Sequence, residues 1–176
     1  MFHSIQSIAL VCHDLRSKNY KLVLATGFFD LLHEEHIRFL RKAKSAGDIL
    51  IVAVESDERA RALKGKGRPI EPQSVRCQHL LSLTTPGVIS QHNETPGVLN
   101  PVDYVIALPP DFDHFEAYDS LMSAISPEIY AVSSHTTHLK SKTFLVEKYG
   151  GKLIIVHQLN TDISTTKIIE KGILSP

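Results

Sequence analysis

The sequence predicts an α/β protein: a single doubly wound domain, residues 1–176, built around a mainly parallel five-stranded sheet. Short apolar runs alternate along the chain with amphipathic helical segments, which is typical of β-α-β units. Most of these runs show no polar residue at every second position, so the strands are expected to be covered on both faces, as parallel strands are. A chain of 176 residues is long enough to bury a substantial core within one domain.

The bulk composition argues against several classes of protein. The apolar fraction of 43% and the charged fraction of 22% are ordinary for a globular protein. The formal net charge is zero with histidine neutral, so there is no broad electrostatic footprint for nucleic acid. No apolar run approaches the ~18 residues of a membrane span, and the first residues do not resemble a signal peptide. Cys12 and Cys77 lack metal-type spacing. We therefore expect a cytoplasmic protein with reduced thiols and neither a membrane nor a nucleic-acid partner.

The first half of the chain contains one complete β-α-β unit. Apolar residues at helical spacing predict a helix at 5–17, within an N-terminal segment 4–18 that flanks the sheet. A strand is predicted at 20–26, a helix at 34–46 and a second strand at 49–54. A parallel pair joined by a right-handed crossover is therefore expected.

The second half continues the alternation after an irregular connection. Residues 84–101 hold several prolines and glycines, and we interpret them as a surface loop, with a lid as the less favoured alternative. The remaining predicted elements are helices at 58–63, 72–83, 115–125, 139–149 and 167–171, and strands at 102–108, 128–132 and 153–157.

Two histidines follow the first predicted strand. The strand runs into Thr26 and Gly27, and the next helix carries His33 and His36 in its first turn. A helix N-terminus offers unpaired backbone N–H groups and the positive end of the helix dipole, so it suits phosphate. Residues three apart share a helix face. This junction is expected at the carboxyl end of a parallel strand, where open sheets bind ligands.

Two further segments have phosphate-binding chemistry. Residues 64–68 form a basic loop with two glycines, and Arg76 lies on the following helix. Residues 164–166 offer three hydroxyl groups at the start of the last predicted helix. Lys and Arg side chains, hydroxyl donors and helix N-termini all bind phosphate. The three segments together predict a nucleotide site.

At this point the sequence resembles a known family. It is similar to the cytidylyltransferase-like nucleotidyltransferases, which carry a G-x-F-D-x-x-H-x-G-H segment and a late S-T-T-x-I segment. Here these segments are residues 27–36 and 164–168, and residues 55–76 look most like the heptose 1-phosphate adenylyltransferase branch. The resemblance extends over most of the chain from Lys21 and implies a Rossmann-like nucleotidyltransferase fold.

The resemblance also implies a reaction and a set of roles. An acceptor phosphate oxygen would attack the α-phosphorus of a nucleoside triphosphate, and pyrophosphate would leave. Magnesium is the expected partner of the triphosphate, with no dedicated metal ligands on the chain, and homodimers are common in the family. The implied catalytic residues are His33, His36, Lys64 and Asp30. Asp30 matches the family's aspartate near the reacting phosphates, where it would help to place a magnesium ion or the acceptor. The implied nucleotide-binding residues are Thr26, Gly27, Phe28, Phe29, Lys66, Arg68, Arg76, Ser164, Thr165 and Thr166.

The chain departs from the family pattern in three places. Glu35 stands where the family has a glycine that lets the nucleotide approach the helix. Residues 133–135 stand where the adenylyltransferase branch tends to have Lys-Gly-Gly, and the connection at 84–101 is long. Ser133, Ser134 and His135 are therefore candidate contacts to the acceptor or the base.

Three functional hypotheses follow. The leading one is transfer of AMP from ATP to a phosphorylated small molecule such as a sugar 1-phosphate. A second is a cytidylyltransferase that uses CTP on an alcohol phosphate or phosphonate. A third is a nucleotide-binding protein in which Glu35 has impaired catalysis. A zinc site at residues 33–36 is disfavoured, because zinc proteases place their two histidines four residues apart.

Overall fold

The fold is a five-stranded parallel sheet with helices on both faces, as the sequence predicts. The computed structural model describes residues 2–83 and 100–158. The strands are β1 Leu22–Gly27, β2 Ile49–Val54, β3 Tyr104–Ala107, β4 Ile129–Ser133 and β5 Lys152–His157. The helices are α1 Ile5–Ser17, α2 Glu34–Lys44, α3 Asp57–Lys64, α4 Gln73–Leu81, α5 Phe115–Ile125 and α6 Leu139–Lys148. Residues 84–99, the segment 164–166 and the last predicted helix lie outside the described residues.

Local sequence explains where several helices begin. Ser4 and Ser7 form a reciprocal capping box at the start of α1. Ser56 accepts a hydrogen bond from the backbone N–H of Arg59 and so caps α3. Pro72 precedes α4 instead of lying within its first turn, and the helix begins one residue later than predicted.

The sheet separates two hydrophobic cores because side chains alternate between its faces. On β1, Leu22 and Leu24 pack with α1, α5 and α6, whereas Val23 and Ala25 pack with α2 and α4. Both faces are thus covered by helices, which explains the nearly continuous apolar strands.

The strand order places a ligand crevice at the centre of the sheet. The order is β3-β2-β1-β4-β5, and all four strand pairings are parallel. The direction of winding reverses between β1 and β4, and open α/β sheets bind ligands outside the carboxyl ends of the strands at such a reversal. The strand ends at Gly27 and Ser133 flank this point. Within the described ranges, no helix is long and apolar enough to cross a membrane.

Candidate active site

A tight turn connects β1 to α2 and shapes the centre of the site. Phe29 and Leu31 both adopt positive φ angles, 52° and 48°, a conformation that is costly for residues other than glycine. A Cβ atom added to Gly27 would lie 3.0 Å from the Phe29 ring, so glycine lets this ring fold back onto the strand end. The turn delivers His33 to the N-cap position of α2.

His33 and His36 form a stacked pair at the start of α2. Their ring centroids lie 3.9 Å apart, with 20° between the ring planes. Burial lowers the pKa of both rings, and it lowers the pKa of His36 to about 3, with further effects from the charges of His33 and Lys64. Both imidazoles are therefore neutral near pH 7. Among the described residues, no hydrogen-bond partner reaches the buried Nδ1 atom of either ring. The pair thus presents neutral imidazoles that can each donate one N–H to a ligand oxygen.

Asp30 anchors the basic loop to the turn. Its carboxylate accepts hydrogen bonds from the backbone N–H groups of Ile70, at 3.0 Å, and Glu71, at 3.1 Å. The guanidinium group of Arg68 lies 3.4 Å from Asp30 Oδ2. The sequence interpretation placed Asp30 beside the reacting phosphates, and the structure uses it to hold residues 68–71 against the turn.

The lysines of the basic loop differ in their surroundings. Lys64 ends α3, and its Nζ atom lies 4.5 Å from the centre of the Phe28 ring. Burial of the ammonium and the charge of Arg68 lower the pKa of Lys64. The positive charge of Lys64 also lowers the pKa of both His33 and His36. Lys64 is therefore close enough to act on the same bound phosphate as the two histidines. Lys66 is exposed between Gly65 and Gly67, which both have positive φ angles.

Arg76 is the clearest departure from the predicted roles. We expected it to bind phosphate, but its side chain is fully buried. Its guanidinium group donates hydrogen bonds to the backbone carbonyls of Glu71, Phe28 and Glu55, and to the carboxylate of Asp57. These donors therefore bind protein acceptors from three segments, at residues 28, 55–57 and 71, and Arg76 holds these segments together instead of facing a ligand.

Glu35 is buried and paired on the other side of α2. It is 1% exposed, and one carboxylate oxygen lies 2.9 Å from Nε2 of His157. Arg38 Nη1 lies 3.3 Å from the other oxygen, and Lys42 Nζ lies 3.2 Å from Nδ1 of His157. Ile154 and Val156 of β5 face α2. Because side chains alternate between the two faces of a strand, His157 would be expected to face away from α2. A register shift opposite Val132 and Ser133 re-aims His157 toward Glu35.

Two cavities open at the strand ends. The histidine cavity, about 160 Å³, lies on the α2 side and is bounded by Glu35, His36 and Ser133. The Glu55 cavity, about 350 Å³, lies on the side of α3, α5 and α6. Residues 26–28 line both cavities and separate them. A ligand that spans this point can thus occupy both sides of the β1 end.

The Glu55 cavity contains polar residues that the sequence analysis did not single out. Glu55 follows β2, and Oε1 of its carboxylate accepts a hydrogen bond of 2.7 Å from Tyr118. Arg59, Tyr130 and Lys142 also line this cavity. The position of Glu55 directly after a buried strand was a usable signal. Lys142 lies inside α6, 87 positions after Glu55, so no local sequence pattern predicts that the two residues line the same cavity.

The predicted contacts after β4 are only partly brought to the crevice. Ser133 lines the histidine cavity. The backbone N–H of Ser134 donates a hydrogen bond to the carbonyl of His157, at 2.9 Å. His135 is exposed and lines neither of the two cavities. A contact from Ser133, Ser134 or His135 to an acceptor or base stays a prediction, as does the role of Ser164, Thr165 and Thr166.

The fold defines an α/β protein with a Rossmann-like parallel sheet and a crevice at the carboxyl ends of its central strands. A cytidylyltransferase-like family model matches residues 24–171, and the chain belongs to that family. The match confirms the resemblance that the motifs indicated.

Relatives agree with this assignment. The chain is 31% identical over 170 residues to the bifunctional protein HldE of Alcanivorax borkumensis (strain ATCC 700651 / DSM 11573 / NCIMB 13689 / SK2), covering 93% of this chain and 30% of the relative. It is 29% identical over 167 residues to the bifunctional protein HldE of Desulfatibacillum aliphaticivorans, covering 94% of this chain and 30% of the relative. The chain thus spans about a third of the length of these relatives.

Solved structures show the same fold. A lipopolysaccharide core biosynthesis protein from Thermoplasma volcanium GSS1 superimposes with a TM-score of 0.58 and 24% identity, over 81% of this chain and 99% of that one. A pantoate-beta-alanine ligase from Francisella tularensis, complexed with beta-gamma ATP and beta-alanine, gives 0.57 and 15%, over 96% and 75%. At these identities the likeness concerns the fold alone.

Proposed function

We propose that this chain transfers AMP from ATP to a phosphorylated small molecule, such as a sugar 1-phosphate, and releases pyrophosphate. The observation that carries the proposal is the stacked pair of His33 and His36 at the N-terminus of α2, within the crevice between β1 and β4. Neutral donors, a helix N-terminus and the nearby Lys64 suit a phosphate group whose charge increases during reaction.

The protein's part in such a reaction is mainly to position substrates and stabilise charge. A phosphate oxygen of the acceptor attacks the α-phosphorus, the bond to the bridging oxygen breaks, and pyrophosphate leaves with that oxygen. His33 and His36 donate N–H groups to the oxygens of the reacting phosphate. Lys64 and Lys66 approach from the basic loop, which Asp30 and Arg68 hold in place.

Magnesium enters this proposal as part of the substrate, bound to the triphosphate. The described residues contain no group of three or more His, Cys, Asp or Glu side chains that could hold a metal ion. The Asp30 carboxylate, for which the resemblance implies a part in placing magnesium or the acceptor, accepts two backbone N–H groups and lies beside Arg68. Magnesium bound to nucleotides usually takes most of its ligands from phosphates and water, and that arrangement fits this site.

A pyrophosphate-release screen tests the proposal. ATP and CTP, each with magnesium, are combined with sugar phosphates, alcohol phosphates and phosphonates. Release with ATP and a sugar phosphate is the expected result. Release with CTP and an alcohol phosphate would replace the leading form with the cytidylyltransferase. Binding of triphosphate without release across the panel would instead favour the impaired nucleotide-binding protein, and Glu35 beside His36 is the feature that keeps this alternative open.

A further inference from the structure

The Glu55 cavity contains a buried carboxylate oxygen that lacks a donor. Glu55 is 7% exposed, and the Tyr118 hydroxyl donates a hydrogen bond of 2.7 Å to its Oε1 atom. In residues 2–83 and 100–158, no hydrogen bond reaches the buried Oε2 atom, and the nearest cation, Arg59 Nε, lies 3.8 Å away. Buried polar atoms are normally hydrogen-bonded, so an open acceptor on a residue that lines a cavity of about 350 Å³ indicates a missing ligand donor.

The charges in the cavity restrict what that ligand can be. The inner lining has two basic side chains, Arg59 and Lys142, and one acidic side chain, Glu55. A cationic group would therefore meet net electrostatic repulsion there. Asp113 and His114 lie at the exposed rim, where solvent screens their charge. A neutral body with several hydroxyl groups satisfies all three inner side chains, because a hydroxyl both donates to a carboxylate and accepts from Arg and Lys.

The walls of the cavity also suit a polyhydroxylated body. Phe28 and Phe115 contribute aromatic surface, and the hydroxyl groups of Thr26 and Tyr130 lie 2.7 Å apart at the floor. Phe28 lines both cavities and carries Lys64 above its ring. A ligand body in the Glu55 cavity can therefore extend its phosphate past Phe28 toward the histidines.

We propose that the Glu55 cavity is the acceptor subsite, that it takes the polyol or sugar body of a phosphorylated acceptor, and that Glu55 selects for a hydroxyl group. Naming the ligand as the acceptor rests on the proposed transferase function, whereas binding in the cavity can be measured without turnover. Phosphorylated acceptors with a quaternary ammonium body are excluded by this assignment.

Calorimetric titration tests the subsite directly. The probes are glycerol 3-phosphate, ribitol 5-phosphate, mannose 1-phosphate and phosphocholine. Wild type is compared with Glu55→Gln and Lys142→Met, and the matched controls are Glu58→Gln on α3 and Lys140→Met on α6, both exposed. We expect a polyol or sugar phosphate to bind, each cavity variant to weaken it about tenfold or more, and the controls to leave it unchanged.

A deoxy series of the best probe identifies the hydroxyl group. Loss of the hydroxyl that meets Glu55 should weaken binding to wild type but not to Glu55→Gln, since the two changes remove the same interaction. Tighter binding of phosphocholine, equal affinity in wild type and Glu55→Gln, or no binding of any polyol or sugar phosphate would each overturn the subsite.

Pyrophosphate release separates this inference from the transferase proposal. Binding that depends on Glu55 without any release would keep the subsite and remove the transfer reaction. Release with an acceptor whose KM is the same in wild type and Glu55→Gln would keep the transfer reaction and remove the subsite. When both hold, Glu55→Gln raises the KM of the acceptor and leaves the KM of the triphosphate unchanged.

Discussion

Two buried glutamates, one beside each cavity, have opposite surroundings. Glu35 meets His157 at 2.9 Å and Arg38 at 3.3 Å, whereas Glu55 has a donor on one oxygen and, among the described residues, none on the other. Both are more than nine-tenths buried, so burial alone does not separate them. The difference teaches that a paired buried carboxylate joins elements of the fold, and one with an open oxygen beside a cavity indicates a ligand.

The largest effect is expected at the histidine cavity. His36→Ala should lower kcat by roughly 10²–10⁴-fold, because it removes a donor to the reacting phosphate. His13→Ala, at an exposed position of α1, should change neither kcat nor the melting temperature. Steady-state kinetics with unfolding curves check both variants. A near-normal kcat for His36→Ala would remove His36 from the catalytic role.

A large loss of stability is expected at Arg76, which supports both cavities by holding Phe28 and Glu55. Arg76→Met leaves several buried carbonyls and Asp57 without their donor, so we expect a loss of roughly 3–5 kcal/mol in the free energy of unfolding. Arg61→Met, at an exposed position of α3, should cost less than about 0.5 kcal/mol. Urea denaturation measures both, and equal losses would contradict the supporting role.

A smaller effect is expected at the paired glutamate. Glu35→Leu leaves Nε2 of the buried His157 without its partner, which should cost about 1–3 kcal/mol. Glu34→Leu is the matched control, because Glu34 is also in the first turn of α2 but exposed. Its loss should be limited to the helix-dipole effect of about 0.3–1 kcal/mol. Equal losses from the two variants would show that the pair with His157 does not stabilise the fold.

The smallest effect is expected at the half-paired glutamate, and its sign depends on pH. Burial raises the pKa of Glu55 above its ordinary value of 4.5, against opposing effects of Tyr118 and Arg59. The folded state then binds the proton more tightly, so this contribution to stability is present at low pH and is lost as pH rises through the folded pKa. Glu55→Gln cannot ionise, and its stability relative to wild type should therefore increase above about pH 4.5.

Denaturation of Glu55→Gln and wild type from pH 4 to 8 checks this slope. We expect a change of about 1 kcal/mol or less, and Glu58→Gln, at an exposed position, should run parallel to wild type. A stability of Glu55→Gln that falls with pH relative to wild type would mean that the charged carboxylate is stabilised in the fold. Glu55 would then belong with Glu35, and the contrast between the two cavities would disappear.

Much of the fold could be predicted from local sequence. The helices at Ile5–Ser17 and Phe115–Ile125 and the strand at Ile49–Val54 have the predicted bounds, because periodicity and capping residues act over a few positions. The placement of His33 and His36 at the start of α2 followed for the same reason. The role of Arg76 could not be predicted in this way. An arginine that binds phosphate and a buried arginine that binds backbone carbonyls use the same guanidinium donors.

The sequence by itself determined the order of strands and helices, the turn from Gly27 to His36 and the family, since each depends on residues close together in the chain. Only the tertiary structure decided how Arg76, Glu35 and Glu55 are used. Glu35 meets a residue 122 positions away, and Glu55 meets one 63 positions away. Such pairings depend on strand order, on a register shift and on which helices cover each face. No local pattern encodes these features, so the two glutamates could be told apart only once the chain had folded.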